Sequence, residues 1–243
     1  KTQSRGIEVT LNTRNIVTKD FFWETSLTYT KYKDRWKERT PDWKPNVYEK
    51  ETDPIRAIYS RRADHIMQIG EEAPTAQPDL RPGQIVIKDL DGYVRDENGN
   101  PKVDENGRFM LLGRPDGIID EADTELIGTL DPGWMASMTN TFKYKGFDLN
   151  IMFNGMFDRI MQDPTEMDFG VNGGGIAQSG YNMLRTIKDR WTFDNPSTTR
   201  PSSYYITGTN YTAGDFFYQK AWFIRLQNIS LGYTLPKSLL AKT

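Results

Sequence analysis

The chain has 243 residues with 31 basic and 33 acidic side chains, so it is nearly neutral. No basic stripe points to nucleic acid, and no polybasic block points to an anionic membrane surface. It has no cysteine and one histidine, His65 in "RRADHIMQ". Disulfides, thiolate metal sites and thiol nucleophiles are excluded, and a zinc site or a histidine-based triad would hang on that one residue; its ordinary reading is an exposed or capping side chain.

The length allows one large domain or two small ones. No run approaches the ~18 apolar residues of a membrane-spanning helix. Residue 1 is Lys with no signal-peptide pattern after it, so the chain reads as an excised or processed piece. Low hydrophobicity does not exclude a membrane, because barrel strands alternate and form no apolar run.

Taken in order, the regular signal has period two. In "RGIEVTLNT", Ile7, Val9 and Leu11 alternate with Glu8, Thr10 and Asn12. In "FFWETSLTYTKY", Trp23, Leu27 and Tyr29 share one face and Glu24, Ser26, Thr28 and Thr30 the other. Such alternation, rich in aromatic and β-branched types, predicts strands near 5–14 and 20–33, joined by the tight "NIVTKD". Residues 34–133 then form a long excursion rich in charge and proline. Within it, "GRPDGIIDEADTELIGTLDP" gathers Asp116, Asp120, Glu121, Asp123 and Glu125, with Gly117 after the first.

Strands follow near 134–144 and 147–157, turning at Lys145-Gly146, with Phe147, Leu149, Ile151, Phe153 and Phe157 set against Asp148, Asn150 and Asn154. A second excursion, 158–216, holds "VNGGGIAQSG". With no Lys-Ser/Thr pair after it and no strand before it, that stretch reads as flexible loop rather than a phosphate cradle. "YNMLRTIKDRW" places Met183, Leu184, Ile187 and Trp191 at helical spacing, which predicts a short helix with Trp191 as an anchor. A last strand is expected near 217–234. Long structureless connections count against a compact soluble domain, whereas short turns on one side and long loops on the other are the asymmetry of an outer-membrane barrel.

At "AWFIRLQNISLGYTLPKSLL" the sequence resembles the C-terminal part of the SusC/RagA-like, TonB-dependent outer-membrane transporters of Bacteroidetes. Phe223, Arg225, Leu226, Asn228, Ile229, Leu231, Gly232, Tyr233, Leu235 and Pro236 match that family's late-barrel phrase. "KGFDLNIMFNG", "RGIEVTLNTRNI…FFWETSLTYT" and "RWTFDNPSTTRPSS" are similar to further stretches of it, in order along the chain. The resemblance implies an all-β fold: an antiparallel transmembrane β-barrel segment in a bacterial outer membrane, lying late in a larger barrel. Its implied partners are the rest of its own barrel and plug, the TonB complex, a SusD-like surface lipoprotein and the lipid bilayer. The implied cargo is a bulky nutrient, a glycan or peptide fragment. No covalent chemistry is expected of this piece.

A family stretch reminiscent of a calcium loop is present here in two halves, "KDLDG" at 88–92 and "PDGIIDEAD" at 115–123, split by a residue 92–115 insert. That insert carries turn signals at Asn98-Gly99 and Asn106-Gly107 and reads as a small hairpin or pair of turns. Calcium needs six to eight hard oxygens around a sharp glycine turn. Asp89, Asp91 and Asp116, the carbonyl of Ile118, then Asp120 and Asp123 are the candidate ligands, if the insert brings Asp91 close to Asp116. The alternative is a polar turn held by Asx-type bonds, with Gly117 turning and Ile118 or Ile119 pinning the loop. No cofactor is required.

Trp36, Trp43 and Tyr48 in the first excursion, and Tyr204, Tyr205 and Tyr211 in the second, are candidate cargo contacts, since glycan recognition favours aromatic platforms. Girdle and loop-packing roles are the competing reading. Two other functions stand beside transport: a soluble β-sandwich carbohydrate-binding module with a structural calcium, and a receptor that signals.

Overall fold

A computed structural model describes residues 1–171, 180–203 and 213–236. Five long strands, β1 (Thr2–Val17), β2 (Phe21–Trp36), β7 (Trp134–Tyr144), β8 (Phe147–Gln162) and β9 (Tyr218–Tyr233), form one antiparallel sheet in the order β1-β2-β7-β8-β9. Four of them have 16 residues; β1 and β8 run five or six residues beyond the spans expected from the alternation, β2 two beyond, and β9 falls two short. No helix among the described residues is long and apolar enough to cross a membrane.

The two short connections are made by local chemistry. The Thr18 hydroxyl donates to the Phe21 carbonyl at 3.0 Å and accepts the Phe21 N–H at 2.9 Å, closing the first turn. Lys145 and Gly146 both take positive φ, +46° and +89°, as a two-residue hairpin turn that matches strand twist requires. Besides the slip at Met152/Phe153, where Gln227 of β9 is the extra residue, register slips at two further bulges. One lies between Arg14 and Ile16, leaving Asn15 unpaired with β2. The other lies between Met156 and Arg159, where Asp158 is forced to φ +59°.

The first excursion is not structureless, contrary to the expectation from its composition. It forms β3 (Ala57–Arg61) paired with β6 (Thr124–Thr129), and β4 (Ala63–Ile66) paired with β5 (Ile85–Ile87). Around them lies the main apolar core of the chain, including Ile58, Ile66, Met67, Ile85, Ile87 and Trp191. Strands of three to six residues are too short to display a period, so the sequence pattern did not reveal them.

The helix expected through Met183–Trp191 is also revised. Only Arg185–Asp189 turns, as a 3-10 helix without a side-chain cap. Trp191 leaves it to bond the Arg200 carbonyl through its backbone N–H at 3.0 Å. It is nonetheless an anchor, 4% exposed, with its ring packed across Gly83. The two excursions are tied together by Arg62, which ion-pairs Glu125 and Asp215, the latter at 2.9 Å.

Candidate functional site

Register decides what each face of the large sheet carries. Val9 lies opposite Tyr29 and Leu11 opposite Leu27, while Leu27 faces Met138 and Met138 faces Phe153. Phe153 in turn pairs with Leu226, and Ile151 with Ile229. All these side chains share one face, and many remain exposed, as Ile224 at 64% and Leu231 at 71% show. The other face is polar. Thr28 and Ser137 hydroxyls are 2.6 Å apart, the Asn150 amide donates to Thr141 at 3.1 Å, and Asn154 donates to Gln227 at 3.3 Å. From Leu27 to Trp36 the odd residues of β2 are more exposed, apart from Thr25 earlier in the strand, and the even ones half-buried, so the polar face is the sheltered side.

Aromatic rings bound the apolar face at two levels. Near the short turns, Trp23 stacks on Phe142 with centroids 5.7 Å apart, and Phe147 lies 4.4 Å from Tyr233. At the other end Tyr29, Trp134, Phe157 and Trp222 form a row, with Trp134 stacked on Phe157 at 3.8 Å. From Trp134 to Phe142 the chain rises about 27 Å along the strand, or about 21 Å across a barrel wall once tilted by ~40°.

One polar group interrupts the apolar face, and the alternation did not reveal it. Asn140 Oδ1 accepts from the Trp23 indole N–H at 3.0 Å and the Thr25 hydroxyl at 2.7 Å, and Asn15 donates to Thr25 at 2.7 Å. Thr25 is 9% exposed, so these bonds replace the water it has lost. They also hold Asn15, the residue bulged out of β1.

The insert does bring the two halves of the acidic loop together. Asp89 accepts the N–H groups of Asp116 (3.2 Å) and Gly117 (2.7 Å), and Asp91 accepts those of Gly92, Gly113 and Arg114. Between them residues 92–115 fold as stacked turns, with bridges Tyr93 to Leu111, Arg95 to Pro101 and Val103 to Phe109. Asp96 and Asp104 shape those turns by accepting N–H groups two and four residues on, which holds both carboxyls below the usual range.

The remaining ligand candidates are committed in the same way. Asp123, fully buried, accepts from Leu90, Asp91 and Asp120 N–H groups, while burial pushes its carboxyl up. Asp116 accepts from Ile118 and Asp120 from Ala122. Gly117 turns at φ +84°, Ile119 is half-buried, and Ile118 is exposed. The cation in the loop is Arg95, whose guanidinium lies 3.3 Å from Asp120 and 4.0 Å from Asp116. Arg95 is oriented by the Gly99 carbonyl at 3.2 Å and the nearby Tyr93 ring. Burial, with Asp120 and Glu121 nearby, pushes the Tyr93 phenol up to about 12. Among the described residues no three acidic or histidine side chains converge to hold a metal ion. In this arrangement the carboxylates are engaged by backbone N–H groups, as in an Asx-bonded turn.

The aromatic candidates have protein partners. Trp36 and Trp43 sandwich the Arg39 guanidinium at 4.3 and 4.4 Å. Tyr48 packs on Tyr59 at 5.1 Å, and the Tyr59 hydroxyl donates to Asp53 at 2.6 Å; burial and that bond raise the Tyr59 pKa. Tyr204, Tyr205 and Tyr211 lie outside the described residues. His65 sits between Asp64 (2.9 Å) and Glu71 (3.1 Å), and the Asp64 carboxylate is the first cause of its raised pKa.

No protein-family profile matches the chain. It is 25% identical over 258 residues to TonB-dependent receptor P3 of Formosa agariphila, covering 99% of this chain and 22% of the relative. It is 23% identical over 245 residues to TonB-dependent receptor SusC of Bacteroides thetaiotaomicron, covering 96% of this chain and 20% of the relative. The chain thus spans about a fifth of the length of these relatives. Among solved structures, the RagAB peptide importer in its closed-closed state aligns over 100% of this chain and 24% of its own, with TM-score 0.64 and 20% identity. The open-open state gives TM-score 0.65 at 18% identity, covering 100% of this chain and 23% of its own. The chain is thus similar along nearly its whole length to part of the TonB-dependent receptors of the SusC type, and its five-stranded sheet with long loops shares the fold of part of the RagAB structures.

Proposed function

We propose that the chain forms part of the wall and outer loops of an outer-membrane transporter that imports a bulky nutrient, a glycan or peptide fragment, driven through TonB. The observation that carries this reading is the two-faced sheet, apolar between two aromatic rows and polar on its sheltered side. Such a wall suits a bilayer outside and a wet, plugged lumen inside. The short turns at 18–20 and 145–146 then face the periplasm, and the loop body lies outside the cell beside a SusD-like lipoprotein. The description of RagAB as a peptide importer supports a peptide as one cargo to test. No second sheet of comparable size covers the five strands among the described residues, which weighs against a soluble sandwich module. The acidic loop is read as a structural turn neutralised by Arg95.

Uptake of labelled peptides and oligosaccharides by cells with and without the intact receptor, and with and without TonB, tests the reading. Loss of uptake of one cargo class on either deletion is expected. Unchanged uptake of both classes in both deletions would remove transport from the account.

A further inference from the structure

The segment that follows β2 holds a half-buried guanidinium with no counter-ion among the described residues. Trp36, the last residue of β2, occupies an even position and so belongs to the polar, sheltered face. Beyond it Thr40-Pro41-Asp42-Trp43 closes a tight turn, with proline at its second position and the Trp43 N–H donating to the Thr40 carbonyl at 3.0 Å. That turn folds Trp43 back over Arg39, whose guanidinium lies 4.3 Å from the Trp36 ring centre and 4.4 Å from that of Trp43.

The two indole faces hold the guanidinium plane but supply no acceptor for its N–H edge. Its Nε is enclosed without a partner, and its two terminal nitrogens bond no protein group among the described residues. The carboxylates of the same stretch are engaged elsewhere or do not reach it. Glu38 pairs with Lys1 at 2.6 Å, and Glu49 accepts the Asn46 N–H at 2.8 Å. Asp53 accepts the Lys50 N–H and the Tyr59 hydroxyl. Asp34 and Asp42 form no ion pair with Arg39. A cation that has lost part of its water and found no acceptor is costly unless something else provides one.

We propose that Arg39, clamped between Trp36 and Trp43, takes a carboxylate of the imported cargo at the outer mouth of the wall. The inference rests on the transport reading above and deepens it, making the cargo an acidic one. With the short turns facing the periplasm, the end of β2 lies outward and its even face lies toward the lumen, in the path of an entering molecule. A planar guanidinium fixed between two rings presents its free donors in one orientation, which suits the two oxygens of a carboxylate. Fixing that plane in advance lowers the ordering cost of binding. An acidic peptide and a uronic-acid glycan both carry the group, and the test separates them.

The test uses the intact receptor in detergent with two pools, short acidic peptides and oligogalacturonides. Each member is supplied both as the free acid and as its neutral methyl amide, told apart by mass. The acid-to-amide ratio among retained molecules, read by mass spectrometry, reports the carboxylate preference. The wild type should favour the acid forms of one pool on the order of tenfold, and the pool that shows this names the source. Arg39→Gln should bring the ratio near parity. Arg39→Lys should restore only part of it, since an ammonium keeps the charge and loses the fork. Trp43→Leu should lower the ratio and Trp43→Phe recover it, as expected of a side chain that positions the guanidinium. Lys37→Gln, which removes an exposed neighbouring cation outside the clamp, should leave the ratio at its wild-type value. Heat-modifiable gel mobility establishes that each variant has assembled its barrel; if Arg39→Gln does not assemble, the wild-type ratio and Arg39→Lys decide. Parity in the assembled wild type, an unchanged ratio in assembled Arg39→Gln or Arg39→Lys, or an equal fall in Lys37→Gln overturns the proposal and leaves the transport reading intact. A wild type that retains no member of either pool, acid or amide, overturns both this inference and the cargo classes of that reading.

Discussion

The five-stranded wall and the loop body solve the burial problem in opposite ways. In the loop body short strands and turns enclose Ile66, Ile85 and Ile87 at no more than 3% exposure. Among the described residues of the wall the one buried side chain is polar, Thr25, while Val9, Leu11, Ile224 and Leu231 stay more than half exposed. The loop body is organised for water around it and an apolar interior. The wall leaves its apolar row for a neighbour that is itself apolar. The difference teaches that one chain can be written for two solvents, and that the meaning of an exposed leucine depends on which region it belongs to.

The contrast can be broken most strongly in the loop body. Trp191→Ala should cost about 3–5 kcal/mol locally. Hydrogen exchange should accelerate through Ile58–Ile66 and Ile85–Ile87 and leave β7 and β8 unchanged. In the wall, Ile151→Arg should impair membrane assembly by roughly 2–4 kcal/mol if it lies near the midplane, whereas Asn150→Arg, one position away on the polar face, should be tolerated. Assembly yield in vesicles separates the two, and equal tolerance would mean that the faces are assigned wrongly.

A smaller effect sharpens the exception on the apolar face. Asn140→Leu strips the acceptor from Trp23 and Thr25 and should destabilise the wall by about 1–3 kcal/mol. Denaturant unfolding of the reassembled barrel reads that change. The smallest concerns the acidic loop. Arg95→Gln should loosen residues 113–127 by about 0.2–1 kcal/mol, because the pair is partly exposed. A calcium chelator should leave exchange of the wild-type loop unchanged; faster exchange with chelator would restore a bound ion to the account.

What the sequence disclosed follows the same division. The wall was legible because Ile7-Val9-Leu11 and Phe147-Leu149-Ile151-Phe153 repeat every second residue over a long span. Its bulges were not, since nothing at Asn15 or Asp158 breaks the composition. The loop core escaped because Ile85–Ile87 is three residues long and its partner β4 lies some twenty residues earlier. In the acidic loop Gly117 was readable as a turn. The bonds from Asp89 to Asp116 and Gly117 cross more than two dozen residues, and Arg95 as the neutralising cation belongs to the insert rather than to the acidic run. Trp36 and Trp43 were visible as aromatics, but spacing alone did not show that they close on Arg39.

These 243 residues hold no cysteine, so an introduced thiol is unique once any cysteine elsewhere in the receptor is replaced. Single cysteines placed in turn from Asp148 to Asn154 in the intact receptor, reconstituted in vesicles and spin-labelled, report contact with oxygen dissolved in lipid and with a water-soluble nickel chelate. The account predicts that labels at Leu149, Ile151 and Phe153 meet oxygen, while those at Asp148, Asn150, Met152 and Asn154 are shielded from lipid. Accessibility that varies smoothly along β8, without a period of two, would contradict it.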